Sequence, residues 1–418
     1  MGVPMFKRIK DNTLLNKYSS CFPVVLLMLL SFNIKNHAQE TSGKYLSLEE
    51  AVITTLNNSP ELKNAALQVK RSRVMKNGAL EFDPFEIVYH YGQINAPVND
   101  RYLEINQSFG SLLTLVRQYE KAGRQVEMSL SELEITKRSL VSRVKSAYYC
   151  WWFLNEKRRL GHEESLLYTD MQRIAELRYQ LGEVDELEKI MASARAAEVQ
   201  NNLNMLADDI MIAENQLRQL MVTSEVLISP AEPLTMYRIE KPSDTTAFSN
   251  AIVTDYYRKN LEVMEAAVRS ERSRFFPEII AGYFYQDMAP LKGLQGWHAG
   301  LNFPLLAFSE SAGIKQAKIE KEIAMNELEY MAYSTDMTIE NLVTELTKYF
   351  RQLQHYNEYA LKQADEIIRN AKLQLDKENI GYQEFVLSIS QAIAIRTGYL
   401  ETLNSYNQTA IQLEFYAY

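Results

Sequence analysis

The histidine and cysteine residues are the side chains with which this chain could bind a metal or perform nucleophilic chemistry. None of them has the H-E-x-x-H or C-x-x-C spacing that prearranges zinc ligands, and the sequence contains no glycine-rich phosphate loop. The 16 Met are spread along the chain, as expected for flexible filling of helix cores rather than a copper relay. The sequence therefore predicts neither an enzyme nor a bound cofactor. The residues concerned are His37, His90, His162, His298, His355, Cys21 and Cys150.

Carboxylates, by contrast, gather at two short breaks between long stretches of helical apolar periodicity. A ring of carboxylates around a pore favours cations and can narrow or gate it. The alternative is an ordinary solvated helix start, because Asp and Glu near a helix N-terminus offset the helix dipole. The first break contributes Glu183, Asp185, Glu186 and Glu188, and the second contributes Glu378 and Glu384.

The composition indicates long helices with few turns. The chain has 418 residues, of which 46% are hydrophobic and 23% are charged, which excludes wholesale disorder and a multi-span helical membrane protein. Its 15 Gly and 11 Pro are about half the usual share of these turn-forming residues. The net charge of −8 argues against a nucleic-acid partner.

The N-terminus has the pattern of a secretory signal. Lys7, Arg8 and Lys10 supply positive charge, residues 22–30 form an apolar run too short to span a bilayer, and Ala38 suits cleavage. We predict a signal peptide over residues 1–38, with a buried hydrophobic helix as the alternative. After cleavage Cys150 would be the only cysteine, so no internal disulfide is expected.

The rest of the chain shows an internal duplication. Residues 70–73 (KRSR) recur as residues 271–274 (ERSR), and residues 84–87 (PFEI) recur as residues 277–279 (PEI). A nearly constant offset of about 193 to 201 residues indicates two copies of one unit. We predict a first repeat at 39–228, a Pro-rich linker or equatorial segment at 229–246, and a second repeat at 247–418.

Each repeat is predicted to contain an opening helix, two strands, a long helix and a returning helix. Apolar residues recur at helical spacing, as in Leu140, Val144 and Trp151. A helix of about 68 residues measures about 100 Å, and a returning helix stacked on the opening helix of the other repeat would match that length. A long dimeric coiled coil is the alternative. The predicted helices are 47–80, with a restart at Ser59-Pro60, then 112–180, 186–222, 248–275, 309–377 and 383–415.

Four runs of about ten residues alternate between apolar and polar side chains, at 85–94, 100–109, 277–286 and 295–303. In the last run, Trp297, Leu301 and Phe303 fall on one face, whereas His298 and Asn302 fall on the other. This length and alternation, with many aromatic residues, is typical of outer-membrane barrel strands. A soluble four-stranded sheet that caps a helical domain is the alternative.

The number of strands bears on the number of copies. Four strands cannot close a barrel without bare edges, and a sheet within a membrane must have all its backbone groups paired. Several copies must then share one barrel, and a homotrimer would supply twelve strands. In a trimer each acidic residue at the two breaks becomes a ring of three.

These features together resemble the TolC-type outer-membrane efflux protein family. The resemblance lies in the signal peptide, the duplicated helix–hairpin–long-helix order and the glycine break that follows Tyr179 at Gly182. Residues 282–286 (GYFYQ) and 292–301 (KGLQGWHAGL) resemble members that accompany heavy-metal efflux pumps of the CusC/CzcC type. The resemblance implies a mainly α fold with a small β part, in which a trimer forms an α-helical barrel and a 12-stranded outer-membrane β-barrel with four strands per protomer.

The same resemblance implies partners and a location. The chain would dock a periplasmic adaptor protein, which joins it to an inner-membrane RND pump, and it would sit in outer-membrane lipid of a Gram-negative bacterium. The predicted function is an exit duct that passively conducts heavy-metal cations, with a TolC-like duct for drugs or organic molecules as the alternative. A non-pore coiled-coil protein of the periplasm is the alternative of another class, and the exposed alternation of residues 295–303 speaks against it.

The resemblance also assigns roles to the two breaks, from Leu181 to Glu188 and from Lys377 to Glu384. They would form the periplasmic entrance and the adaptor contact. Gly182 matches the glycine of the family, whereas Glu378 stands at the second equivalent position and Gly381 is the neighbour available for that turn. The family carries an acidic residue at the positions of Glu188 and Glu384, which are therefore the predicted constriction residues.

Two further predictions concern the strands. An aromatic girdle at the membrane interface is expected from the exposed aromatic residues of the four runs. Polar residues on the face opposite Trp297 are expected to line the lumen, namely His298 and Asn302. The predicted girdle residues are Tyr89, Tyr91, Tyr102, Tyr283 and Trp297.

Overall fold

The computed structural model describes residues 45–95, 97–239, 252–288, 290–303, 308–377 and 379–417. The predicted signal peptide lies outside these ranges, as do residues 240–246 of the predicted linker. Everything below concerns the described residues.

The element order repeats, as the duplication predicts. The first half contains helices α1 (Leu48–Asn58) and α2 (Pro60–Gly78), strands β1 (Glu86–Gly92) and β2 (Asp100–Ser108), and helices α3 (Leu112–Gln180) and α4 (Glu186–Met221). The second half contains α5 (Ile252–Ser273), β3 (Glu278–Met288), β4 (Leu291–Asn302), α6 (Phe308–His355), a π-helical turn (Tyr356–Ala360), α7 (Leu361–Asp376) and α8 (Tyr382–Ala417). The predicted mainly α fold with four strands is confirmed.

The two opening helices of the first half follow from local capping. The Ser47 hydroxyl accepts a hydrogen bond from the Glu50 amide at 3.1 Å, which caps α1. The Ser59 hydroxyl accepts from the Leu62 amide at 3.3 Å, and Pro60 occupies the first helical position of α2. The predicted restart at Ser59-Pro60 is therefore confirmed.

The second long helix differs from the first in one detail. The residues predicted as one helix, 309–377, form α6, the π-helical turn and α7 in direct succession. A π-helical turn adds one residue to a helical ladder, and it leaves no separate signal in the apolar periodicity. The first long helix, predicted at 112–180, is uninterrupted over those same residues.

The strands form one antiparallel sheet in the order β1-β2-β3-β4. β1 and β2 form a hairpin, β2 pairs with β3, and β3 and β4 form the second hairpin. β4 starts at Leu291, four residues before its predicted start, because Met288 pairs with Leu291 and extends the ladder. Neither the outer edge of β1 nor that of β4 has a neighbouring strand among the described residues.

The largest core lies where α3, α4 and α8 meet an extended segment at 228–239. Tyr148 donates a hydrogen bond to the Leu46 carbonyl at 2.8 Å, and the Trp152 indole donates to the Glu232 carbonyl at 3.1 Å. The side-chain oxygen Oδ1 of buried Asn407 accepts a hydrogen bond from Tyr237 N at 2.7 Å. The bonds to Glu232 and Tyr237 hold the segment, of which residues 229–239 belong to the predicted linker, against α3 and α8. Core residues from these elements include Val144, Tyr148, Trp151, Trp152, Leu217, Met221, Leu234, Leu403 and Ile411.

One predicted helix arrangement is wrong. We expected the first returning helix to stack on the opening helix of the other repeat. Instead α4 meets α1 of its own repeat, where the Asn58 side chain donates to the Met221 carbonyl at 3.1 Å. Helix lengths cannot distinguish the two arrangements, because the opening helices of both repeats are of similar length.

The described part of the chain has no helix that combines the length and the hydrophobicity needed to cross a membrane.

Candidate functional site

The first break is a glycine-terminated helix end followed by a capped helix start. Gly182 has φ +75°, a conformation that favours glycine, and the Glu183 amide donates to the Arg178 carbonyl at 2.9 Å. Asp185 then caps α4, because its side chain accepts from the Glu188 amide at 2.9 Å. The short break therefore reverses the chain between α3 and α4 in five residues, 181–185.

The acidic residues of the first break have different environments. The Glu183 carboxylate accepts from Arg178 Nε at 3.4 Å, and Asp185 serves as the helix cap, so both have partners within the chain. The Glu188 side chain is half-buried, and Glu186 is exposed. The capping role of Asp185 matches the alternative interpretation of a helix start, whereas the ring role of Glu186 and Glu188 stays a prediction.

The second break repeats the first with one exchange. The Asn379 amide donates to the Gln374 carbonyl at 2.9 Å, which reproduces the bond from Glu183 to Arg178 with Glu378 in the place of Gly182. Glu378 itself lies outside the described residues. Gly381 does not have a positive φ, so the expectation that it takes over the turn is wrong. Its carbonyl instead accepts from the Phe385 amide at 3.1 Å and begins α8, in which Glu384 is exposed.

Tyr382 holds the two breaks side by side. Its side chain is 6% exposed and packs against Ala175 of α3 and Ala192 of α4. Burial raises the pKa of the Tyr382 hydroxyl to about 12. Nearby, the Gln383 amide lies 4.0 Å from the Met191 sulfur. The small residues on α3 and α4 thus make room for a tyrosine from the second repeat, and the helix starts that carry Glu188 and Glu384 become neighbours.

An ion pair between α3 and α4 lies next to the first break. Lys189 Nζ lies 3.0 Å from Glu176 Oε2 and 4.7 Å from the centre of the Tyr179 ring. The hydrogen bond from Lys189 lowers the pKa of Glu176 below its usual range. Sequence analysis did not select Glu176, Lys189 or Tyr382. The ion pair joins residues 13 positions apart on two helices, and only the tight turn between α3 and α4 brings them together.

The strand register assigns the sheet residues to two faces. Residues directly opposite each other in an antiparallel sheet point to the same side. Ile87 pairs with Ile105, Ile105 with Tyr283, and Tyr283 with Trp297, which makes one apolar row across the sheet. Trp297 is 84% exposed, and its ring contacts Tyr283 at a centroid distance of 4.9 Å. Tyr89 and Tyr91 share this apolar face and are exposed.

The opposite face is polar. Glu86 pairs with Asn106, Asn106 with Gly282, and Gly282 with His298. His298 Nε2 lies 3.8 Å from Glu104 Oε1 on the same face. Asn302 also lies on this face, where its amide donates to Glu278 Oε2 at 3.4 Å. His298 and Asn302 therefore lie on the other face of the sheet from Trp297, as the alternation of the sequence indicates.

One predicted girdle residue belongs to the wrong face. Tyr102 pairs with His90 and Gln286, and its ring contacts those of His90 and Phe284 at centroid distances of 5.8 and 6.0 Å. It thus shares the polar face with His298, not the apolar face of Trp297. Residue type does not assign Tyr102 to a face of the sheet, because its face depends on how β2 pairs with its neighbours.

No cluster of three or more His, Cys, Asp or Glu residues suited to hold a metal ion is found among the described residues. The candidate functional features are thus two: the pair of acidic breaks between helices, and the sheet with one apolar and one polar face.

Part of the sequence, and the fold, are similar to those of known proteins. Residues 103–222 match the family model described as outer membrane efflux protein. No curated protein matches the sequence. The fold resembles the crystal structure of CusC, with a TM-score of 0.75 and 15% identity over 88% of this chain and 90% of that chain. It also resembles the CmeC outer membrane channel of Campylobacter jejuni, with a TM-score of 0.75 and 15% identity over 88% and 85% of the two chains.

A further solved structure with this fold is the open state of the MtrE outer membrane channel of Neisseria gonorrhoeae. Its TM-score is 0.72, with 14% identity over 88% of each chain. The resemblance of the sequence to outer membrane efflux proteins is thus confirmed over residues 103–222, and the fold of the chain is that of solved outer-membrane channels.

Proposed function

We propose that this protein is the outer-membrane channel of a tripartite RND-type efflux system. It would conduct cargo passively from the periplasm and pump to the exterior, with a periplasmic adaptor and an inner-membrane RND pump as partners. The observation that carries the proposal is the sheet, which has an exposed apolar face with Tyr89, Tyr91 and Trp297 and a polar face with His298 and Asn302. An apolar outer face and a polar inner face are what a transmembrane β-barrel requires.

The free edges of the sheet support a homotrimer. Within the described ranges, β1 and β4 are the two edge strands, and each presents unpaired backbone groups on its outer side. Such groups cost several kcal/mol each within lipid, so the edges must pair with those of other copies. Three copies would join into a closed barrel of twelve strands, and their helices would continue it as a helical tube.

The acidic breaks are proposed as the periplasmic entrance. They lie at the ends of α3 and α7, whereas the strands lie at the opposite ends of the long helices. Glu188 and Glu384 start neighbouring helices, so a trimer would place six carboxylates around one opening. Such a ring favours cations. Conductance of the purified protein in planar lipid bilayers tests the channel function directly, and a protein that forms no pores there would contradict it.

Trp297 is expected to lie at the membrane interface. Trp151 and Trp152 are 2% and 8% exposed. Among the tryptophans of the described residues, only Trp297 is therefore accessible to lipid. In liposomes, lipids brominated near the headgroup should quench its fluorescence by about a third or more, since interfacial Trp rings sit at that depth.

The matched control for this measurement is Trp297→Phe, which keeps an apolar ring and removes the reporter. The lipid-dependent quenching should disappear in that variant. Quenching of Trp297 by aqueous iodide instead of by brominated lipid would contradict a lipid-facing apolar surface.

Heavy-metal cations are the proposed cargo. This choice rests on the resemblance of residues 282–286 and 292–301 to metal-efflux members and on the acidic breaks. Drugs or other organic molecules are the second candidate, because a duct passes whatever its pump delivers. Deletion of the gene should lower the tolerated concentration of transition metals about fourfold or more, with antibiotic tolerance unchanged. The opposite pattern would favour organic cargo.

A non-pore coiled-coil protein of the periplasm is the remaining alternative. Such a protein would need no detergent for extraction from outer-membrane fractions, and its mobility on gels would not change with heating.

A further inference from the structure

We infer that His298, Glu104 and Asn106 form a transit site for divalent transition-metal cations on the polar face of the sheet. The inference rests on the proposed function, since the polar face must line the channel for cargo to meet it. It identifies a place within the duct where a metal cation would bind briefly on its way out.

Gly282 creates the space for this site. It lies between Asn106 and His298 in the register, and a Cβ added to it would overlap both the His298 ring and the Asn106 side-chain oxygen. The imidazole therefore lies over the bare backbone of β3. From there it reaches the strand beyond, where His298 Nε2 is 3.8 Å from Glu104 Oε1. A histidine of β4 and a carboxylate of β2 thus meet across β3.

The separation of these two atoms suits a shared cation. Zn²⁺ binds imidazole nitrogen and carboxylate oxygen at about 2.0–2.2 Å each, so one ion can bridge atoms up to about 4 Å apart. The Asn106 side-chain oxygen provides a third donor. It is buried, lies next to Gly282 as the His298 ring does, and has no hydrogen-bond partner among the described residues. Buried acceptors without a partner are uncommon, and a cation held beside the ring would satisfy this one.

The site is built for passage rather than for retention. The His298 and Glu104 side chains are 39% and 25% exposed, so an ion in the lumen can reach them. One imidazole, one carboxylate and one amide leave coordination positions for water, and Asn is a weak ligand. Imidazole selects Zn²⁺, Co²⁺ or Ni²⁺ over Mg²⁺. Glu86, opposite Asn106 on the same face, adds negative charge that attracts cations.

Zn²⁺ binding to the full-length mature protein in detergent tests the inference. Isothermal titration calorimetry should show a Zn²⁺ site that Mg²⁺ does not occupy, and His298→Gln and Glu104→Gln should each weaken it about tenfold or more. The matched control is His90→Gln, because His90 lies on the same face but contacts the Tyr102 ring. Its Zn²⁺ affinity should remain within about twofold of the unmodified protein.

A variant that keeps all three proposed ligands also tests the site. Gly282→Ala should displace the imidazole and weaken Zn²⁺ binding, while the thermal unfolding of the helices stays unchanged. Zn²⁺ binding that survives both His298→Gln and Glu104→Gln would overturn the inference. A protein that binds Zn²⁺ as described but forms no pores in planar bilayers would instead overturn the proposed function and the transit role together.

Discussion

Replacing Trp151 by alanine is expected to lower the free energy of unfolding by about 3–5 kcal/mol. Trp151 is 2% exposed and belongs to the largest core, where its ring contacts Tyr148 edge-on at a centroid distance of 6.2 Å. The cavity left by an indole cannot close, because α3, α4 and α8 all meet there with bulky side chains. The surrounding residues would lose dispersion contacts on every side.

Thermal unfolding followed by far-ultraviolet circular dichroism checks this expectation. The matched control is Trp297→Ala, which removes the same side chain from a position that is 84% exposed. In detergent the control should shift the melting temperature far less than Trp151→Ala. Equal shifts for the two variants would show that the core around Trp151 does not limit the stability of the helical part.

The second large effect is expected from the combined replacement Glu188→Ala and Glu384→Ala. The proposed trimer would lose six carboxylates from its entrance. Single-channel conductance should then rise, or the preference for cations over anions should fall by about twofold or more. Reversal potentials measured across a salt gradient in planar bilayers give the selectivity, and current steps give the conductance.

Two exposed glutamates remote from the breaks along the chain provide the control. Glu49→Ala with Glu340→Ala removes the same charge from α1 and α6. The control should leave conductance and selectivity unchanged. If the Glu188/Glu384 variant is also unchanged, the carboxylates at the breaks have no gating role, and their only contribution is to the helix dipole.

Much of the fold could be predicted because its signals are local. Ser59-Pro60 marks the restart of a helix, Gly182 allows the turn that ends α3, and the apolar periodicity extends over the whole of 112–180. Alternation in the sequence likewise predicts four strands and puts Trp297 and His298 on different faces of the sheet. Each of these features depends on residues a few positions apart in the chain. A local stretch of the sequence is therefore enough to predict it.

The candidate site could be predicted only in part. The sequence shows which acidic residues lie at the breaks, but it does not show what each of them contacts. Asp185, for example, caps α4. The buried Tyr382 was missed because the small residues that receive it, Ala175 and Ala192, stand some 190 to 207 positions away in the other repeat. No local pattern reports such a pairing.

The sequence by itself determined the elements of this protein: long helices, two acidic breaks, and four strands with alternating faces. Only the tertiary structure decided how they combine. It placed Tyr102 on the polar face, joined α4 to α1 of the same repeat, and laid His298 over Gly282 beside Glu104. The physical reason is that helices and strands form from interactions between near neighbours in the chain. Strand register, helix stacking and cross-strand clusters depend on contacts between residues far apart in it.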